Sequence, residues 1–478
     1  MSLRVWLPLN GNTNNQGLSS ITISGSPNSY IATGKIGKCA SFAGNTANII
    51  YYNTSEFNYT DNFSYCVWIN QNFTGTSQQW AFANGRADYG SYGYGIKINS
   101  ATDISCFFGS KGVGVSCPTN EWHHIAVTIS GNVMKVYKDG ILDSTNPTAT
   151  LPTYSDGNGL GLGCIHYTGG NIFPFYGSLN DFRIYDHCLS TKEVKEISKG
   201  LCLHYKLDGV CNTIDSTEWD CSGFNYNGTN SNITIESISS RYSSSYNYST
   251  NDSTTNVAPC FSSGQTQNEL TTSIWFKTDT LNSTKPNLIS LGEDSFWRFR
   301  LASATSIWAY IRVGSTQVAT TLTVPSSITS SLIDNKWHLC AVSFKNGIIT
   351  IYIDGISIGT YNASSTAEYI TCGASGSTWH LAGYTSTSES FIGNLSDFRI
   401  YSTALSDSDI LELYNSPINI DNKGNLYAYE FIEEEENNFS KQGIAKNSEF
   451  IDLDTAGDSY TNAGISSTVD YANIFIEK

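Results

Sequence analysis

The sequence predicts an all-β protein built from two tandem antiparallel β-sandwiches followed by a small β module. Three observations predict it. The composition favours strands and turns over charge, one series of strand-like blocks occurs twice in the same order, and each half carries a matching hairpin and closing helix.

Aromatic residues make up 13% of the 478 positions and charged residues 14%, with 41 glycines and two methionines. Aromatic and β-branched side chains pack well on a pleated sheet, and Gly, Asn and Asp supply the turns between strands. A chain of this length exceeds what one sandwich core can fill.

Four blocks recur. Leu3-Arg-Val-Trp-Leu-Pro-Leu-Asn-Gly11 answers Leu201-Cys-Leu-His-Tyr-Lys-Leu-Asp-Gly209, and Tyr65-Cys-Val-Trp-Ile69 answers Thr272-Ser-Ile-Trp-Phe276. Glu121-Trp-His-His-Ile-Ala-Val-Thr-Ile129 answers Lys336-Trp-His-Leu-Cys-Ala-Val-Ser-Phe344. Phe175-Tyr-Gly-Ser-Leu-Asn-Asp-Phe-Arg-Ile-Tyr185 answers Phe391-Ile-Gly-Asn-Leu-Ser-Asp-Phe-Arg-Ile-Tyr401. The offset grows from 198 to 207, 215 and 216, so the second copy gains loop residues ahead of its second and third blocks. Such a period marks a domain duplication. Most blocks alternate apolar and polar residues, the pattern of strands with one face buried. Asp139-Gly140 and Asp354-Gly355 each sit between two such runs, a hairpin signal. Ser190-Thr-Lys-Glu193 and Ser406-Asp-Ser-Asp409 read as capping boxes that open one short helix per copy. The expected domains are therefore 1–199, 200–416 and 417–478.

The last segment differs in kind. It holds 12 acidic and 4 basic residues, half of the formal net charge of −16. Leu426 to Ile432, Ser448 to Leu453 and Tyr471 to Ile476 read as strands of a module too small for a generous core, expected to serve assembly, docking or homo-oligomer contacts. Glu433-Glu-Glu-Glu436 reads as a solvated acidic turn.

An acidic chain has no means of releasing counterions from a nucleic acid and little attraction to an anionic membrane surface, so neither partner is expected. No stretch approaches the length of a membrane span, and no export signal is expected at the N-terminus. Twelve cysteines invite a disulfide framework, but the repeat argues against one. Cys66 answers Ser273, Cys202 answers Arg4 and Cys340 answers Ile125, so these positions behave as small packing sites and most are expected to be free thiols of a reducing compartment. No Cys-x-x-Cys pair occurs to hold zinc.

Trp122-His123, the Asp139-Gly140 hairpin and Gly177-Ser-Leu-Asn-Asp-Phe-Arg-Ile-Tyr185 resemble the laminin-G-like family of the concanavalin-A-like lectin/glucanase superfamily, and all recur in the second copy. The resemblance covers residues 1 to about 416 and implies jelly-roll sandwiches, in a fold that hosts lectins, glycosidases, adhesion modules and spacers. In related domains an Asp-x-Ser-Gly loop, with the Asp preceding the Phe-Arg-Ile-Tyr strand, contributes to a calcium site. That implies Asp220 and Asp397 as metal ligands and Ca2+ in the second sandwich, with an Asx turn and a loop cap as the alternative.

Glycan-cleaving relatives carry alternating carboxylates on one strand, and no Glu-x-Asp-x-Glu occurs here; no catalytic residues are expected. Gly-x-Ser-x-Gly and His-Glu-x-x-His are absent as well. The paired Trp-His reads as structural, because the next position takes His124 in one copy and Leu339 in the other. For ligand binding, Arg86-Ala-Asp88-Tyr89-Gly-Ser-Tyr92 offers Asp88, Tyr89 and Tyr92, since tyrosine stacks on sugar faces; packing at a strand entry is the alternative.

The opening block, with Gly34-Lys-Ile-Gly-Lys-Cys-Ala-Ser-Phe42, is similar to virion proteins of phages of gut bacteria. This implies a virion protein assembled in the host cytoplasm: a non-catalytic tail or head-fibre adhesin contacting bacterial-surface or mucus glycans and other virion proteins. A decoration protein without glycan binding and a glycoside hydrolase are the alternatives.

Overall fold

A computed structural model describes residues 3–415 apart from 53–54, 74, 76, 87–92, 147–151, 155–158, 168, 209–216, 237–243, 282–285, 293–295, 364–367, 373–378 and 384–388, and beyond them 418–420, 426–428, 442–446 and 449–453. Two antiparallel sandwiches with the same strand order fill this chain. In the first, one sheet runs Ile141–Asn146, Val133–Lys138, Trp122–Ser130, Phe63–Gln71, Tyr176–Tyr185, Cys39–Ala43 and Ser29–Ile31, with Leu3–Leu7 pairing along Tyr176–Tyr185. The facing sheet runs Lys111–Ser116, Asp103–Phe108, Tyr94–Ile98, Gln79–Asn84, Leu160–Leu162, Ile50–Tyr52 and Ser24–Gly25.

The second sandwich repeats this. Its first sheet runs Ile356–Asn362, Ile348–Ile353, His338–Lys345, Glu269–Lys277, Gly393–Tyr401, Ser245–Tyr248 and Thr234–Glu236, with Leu201–Tyr205 alongside Gly393–Tyr401. In its second sheet Thr254–Val257, Trp379–Leu381, Asn287–Leu291, Trp297–Ser303 and Ser306–Val313 lie side by side, with Thr316–Thr323 beyond them.

Val5, Val67, Phe82, Ile96, Ile125, Phe182 and Ile184 meet between the sheets of the first copy, as the alternation requires. The central strands depart from the expected pattern of one buried face. Phe63–Gln71 and Tyr176–Tyr185 are buried on both. Their outer face is covered by helix α1 (Thr191–Ser198) through Val194 and Ile197, and one apolar cluster continues from Trp6, Trp68 and Tyr137 into Phe224, Val257 and Trp297 of the second copy. Helix α2 (Asp407–Asn415) covers the matching face there, with Ile410 and Leu413 against Trp275, Leu339 and Tyr352. Both helices open on the expected boxes. The Glu193 amide donates to Ser190 Oγ (3.2 Å), and the Asp409 amide to Ser406 Oγ (3.3 Å). Such caps each contribute about 1 kcal/mol.

The sandwiches meet through polar contacts as well. Lys35 Nζ lies 3.2 Å from Glu269 Oε2, Gln265 Nε2 donates to the Gly34 carbonyl (3.0 Å), and Lys195 of α1 pairs with Asp409 of α2 (2.6 Å).

The Trp-His and Asp-Gly motifs, separate in the sequence, interlock in the fold. His123 Nδ1 lies 2.9 Å from Asp139 Oδ2 while the His124 amide donates to Asp139 Oδ1 (2.8 Å). His338 and the Leu339 amide make the same pair of contacts with Asp354, at 2.8 and 2.9 Å. Asp139 and Asp354 have φ +50° and Gly140 and Gly355 φ +79°, the left-handed pair a tight hairpin needs. The eleven cysteines among the described residues are free thiols, nine of them buried. Burial pushes the Cys340 thiol up to about 12.

Beyond α2, Ile418–Ile420 pairs with Leu426–Ala428 and Gln442–Lys446 with Glu449–Leu453, both antiparallel. The first and second expected strands are thus present in shortened form; Glu433–Glu436 and Tyr471–Ile476 lie outside the described residues.

Candidate functional site

Asp220 and Asp397 flank His204, and each is occupied by donors of the chain. Asp220 Oδ1 accepts the amides of His204 (3.0 Å) and Ser222 (2.9 Å), the second an Asx turn. Asp220 Oδ2 accepts Ser222 Oγ (2.8 Å) and the Tyr226 amide (3.1 Å). The first copy does the same with an amide side chain: Asn15 Oδ1 accepts the amides of Trp6 (2.8 Å) and Gly17 (3.0 Å). An uncharged Asn filling the role shows that the loop needs an acceptor there, and a negative charge is not essential to it.

Asp397 lies in a buried ion pair. Arg399 donates Nε to Oδ1 (2.6 Å) and Nη2 to Oδ2 (2.9 Å), and His204 Nε2 lies 3.0 Å from Oδ1. Asp181 of the first copy receives Arg183 Nε (2.9 Å) and Trp6 Nε1 (2.6 Å), where Trp6 stands at the position of His204. Both aspartates have left-handed backbones, φ +54° and +52°, where the strand breaks register with its neighbour. The pair therefore fixes a bulge. Hard cations need several converging oxygens, and this arrangement converges nitrogen donors on the carboxylates, so it does not fit the calcium pair drawn from the resemblance. Among the described residues no group of three or more His, Cys, Asp or Glu is placed to hold a metal.

Asp88, Tyr89 and Tyr92 lie outside the described residues. Their neighbour Arg86 stacks over the Tyr167 ring at 4.5 Å. Tyr167 belongs to a hairpin, Ile165–Tyr167 with Gly170–Ile172, that is laid over the outer face of the second sheet. Ile165 packs there with Trp80 and Ala83, and His166 stacks on Tyr51 at 4.2 Å.

The same face of the second sandwich carries a different surface. Strand Trp297–Ser303 sends Trp297, Phe299 and Leu301 inward, which leaves Arg298 and Arg300 half-buried on the outside. Strand Ser306–Val313 sends Ile307, Ala309 and Ile311 inward and leaves Trp308, Tyr310 and Arg312 outside. Register places Arg298 opposite Tyr310 and Arg300 opposite Trp308. The Trp308 and Tyr310 rings stack on each other, centroids 5.4 Å apart with their planes at 19°. Arg300 lies 4.1 Å above Trp308, and Arg298 5.9 Å from Tyr310. Arg298 also pairs with Glu389 (3.1 Å), which the Asn287 amide group anchors at 3.3 Å. Ser290 and His380 continue the row across the neighbouring strands. The row has a sequence signal: Trp297-Arg-Phe-Arg-Leu301 and Ile307-Trp-Ala-Tyr-Ile-Arg312 alternate with period two.

Among the carboxylates, Glu218 is displaced towards neutral pH. Burial pushes Glu218 up to about 7, against hydrogen bonds from Tyr246, Asn230 (3.3 Å) and the Leu207 amide (3.3 Å).

Among the described residues no helix is long and apolar enough to cross a membrane. No curated protein matches the chain. Solved structures that resemble parts of it include domain 4 of the extracellular arabinanase AbnA from Geobacillus stearothermophilus in complex with arabinotriose. It is 19% identical over 41% of this chain and 98% of that one, with TM-score 0.32. The Trypanosoma rangeli sialidase is 13% identical over 41% of this chain with TM-score 0.32, and only 32% of its own length is matched. Domains LG4-5 of the mouse laminin alpha1 chain are 13% identical over 82% of this chain and 96% of that one, with TM-score 0.25. Residues 43–195 and 245–411, more than half of the sequence and one stretch in each sandwich, match a single family, and the chain belongs to the concanavalin A-like lectin/glucanases superfamily.

Proposed function

We propose that this is a non-catalytic glycan-binding protein whose binding surface is the outer face of the second sheet in the second sandwich. Its proposed setting is a phage virion, as a tail or head-fibre adhesin for surface glycans. The observation that carries the binding reading is the stacked Trp308–Tyr310 pair, held outward at alternate residues of one strand by a buried sheet. Sugar rings present apolar C–H faces that pack against outward aromatic side chains, and a strand positions those side chains without ordering a loop. The setting is supported by the opening block's similarity to virion proteins.

The test is a glycan array with the full chain, run with calcium and with chelator. Saturable binding that weakens about tenfold in Trp308→Ala or Tyr310→Ala, at unchanged urea midpoint, is expected. The nitrogen donors around Asp220 and Asp397 favour the same affinity in both buffers. An array without any saturable ligand would sink the reading.

Glu218 favours a second reading, hydrolysis, because a carboxyl titrating near 7 suits a general acid. That reading requires turnover of an array ligand that Glu218→Gln abolishes.

A further inference from the structure

We infer that the ligand of this face is an anionic glycan, one bearing a carboxylate or sulfate, with Arg300 as the partner of the anion. The inference rests on the glycan-binding reading and adds the charge of the sugar to it.

The argument begins with where the arginines are. The chain has eight arginines in a formal net charge of −16. Two of the eight, Arg183 and Arg399, are locked to the bulge aspartates, and three, Arg298, Arg300 and Arg312, project from two adjacent strands to one side. Three arginines thus gather on one face of an acidic molecule, which draws an anion to them and fixes its orientation.

Arg298 and Arg300 stand two residues apart on one face of one strand, a like-charge placement that costs stability. Glu389 pairs directly with Arg298, at 3.1 Å. Among the described residues Arg300 has no carboxylate at that distance and its buried Nε has no hydrogen-bond partner; its guanidinium rests on the Trp308 ring. Burial lowers the basicity of Arg300, Glu389 raises it, and Arg298 lowers it again. Ser290 Oγ, in the same row, is likewise buried without a partner. Stacking uses the face of a guanidinium and leaves its in-plane N–H donors for a bidentate acceptor, which carboxylate and sulfate supply. A neutral sugar would use the rings and leave the charge uncompensated.

In the first copy the corresponding positions are Gly95, Lys97, Ser105 and Phe107; Lys97 stands opposite Ser105 with no aromatic partner there, and Phe107 packs against the hairpin on that face. The anion site therefore belongs to the second sandwich alone.

Calorimetric titration of the full chain with lactose, sialyllactose and sulfated lactose, together with charged and uncharged pairs among the array ligands, tests this. Charged members should bind about tenfold more tightly than their neutral counterparts, with the advantage shrinking in high salt. Arg300→Gln should remove that advantage and leave neutral binding in place. Arg300→Lys keeps the charge and loses the planar fork, so it should retain part of the advantage. Unchanged urea midpoints show that the variants fold. Preference for sialyl over sulfate, or the reverse, identifies which anion the face takes. Equal affinity for charged and neutral sugars overturns the anionic assignment while glycan binding stands. Binding of polyglutamate as tight as that of any charged sugar overturns it in favour of an acidic protein partner. Absence of every glycan removes both this inference and the reading it rests on.

Discussion

Across the outer face of the second sheet, the first sandwich carries Tyr51, Gly161, Ala83, Gly95 and Phe107, and the second carries Asn256, His380, Ser290, Arg298 and Tyr310, position for position. The first row is small and apolar enough to seat a hairpin. The second is polar, aromatic and cationic. Both rows stand on the same strand order and the same interlocked motifs, so the difference lies in what is laid on the scaffold. Duplication separates the two demands: one copy can close a face for stability while the other keeps it for a ligand.

What the copies share most deeply is the bulge ion pair, and breaking it should have the largest effect. Asp397→Asn leaves Arg399 buried without a countercharge, as Asp181→Asn does Arg183, and each should destabilise its own sandwich by about 3–5 kcal/mol. Asp397 uses both oxygens on Arg399, whereas Asp181 Oδ2 has no partner, so the second copy should lose more. Urea unfolding of the full chain followed by two probes checks this. A loss below 1 kcal/mol in both variants would show that the pair does not hold the bulge.

The copies also differ at several buried positions of the first sheet, among them His124 against Leu339. His124 is fully buried beside Trp68 and neither ring nitrogen has a partner. Burial lowers its pKa from 6.5 to about 4, with Asp181 and Asp139 opposing that shift and Arg183 adding to it. A histidine depressed in this way leaves stability intact above pH 6.5. As pH falls towards 4 the unfolded chain takes the proton first, and about 3 kcal/mol is lost before the effect levels off. His204, lowered to about 4 by burial and then by Arg399, acts in the same direction in the second copy. His124→Leu should therefore remove the acid loss of the first sandwich alone and add about 1–2 kcal/mol at pH 7 by deleting an unpartnered polar group. Unfolding midpoints between pH 7 and pH 4 measure it; parallel curves for wild type and variant would show that His124 does not titrate with folding.

These features were unequally legible. The capping boxes, the Asp-Gly hairpins and the strand blocks are local, so spacing alone exposes them. Arg298, Arg300, Trp308 and Tyr310 could be placed on one face by period two, but their register across strands is a tertiary fact. The equivalence of Asn15 and Asp220 was hidden, because unlike residue types in unlike loops are related only by the amides they accept. Asp220 and Asp397 pointed to calcium by resemblance, and only their donors reveal an Asx turn at the one and an ion pair at the other. Periodicity tells which residues share a face and is silent on what covers it, so the hairpin over the first sandwich gave no sequence signal.

That hairpin offers the finest test of the contrast between the faces. Gly161 stands where the second copy has His380, and a Cβ added there would come within 2.8 Å of His166 Cβ and 3.0 Å of the His166 backbone nitrogen. Backbone cannot yield as a flexible side chain does, so Gly161→Ala should lift the hairpin at a cost of about 1–3 kcal/mol. The effect should stay local, because Phe82 and Ile96 face the core from the other side of the same sheet. Hydrogen exchange should quicken at Ile165–Tyr167 and Gly170–Ile172, which pair with each other as Ile165 with Ile172 and Tyr167 with Gly170, while the Gln79–Asn84 strand keeps its protection. Exchange that quickens throughout the sheet would mean that the hairpin is part of the sandwich core. In that case the closed and open faces would reflect two different ways of stabilising the fold, and the second copy's row would need a stabilising partner of its own.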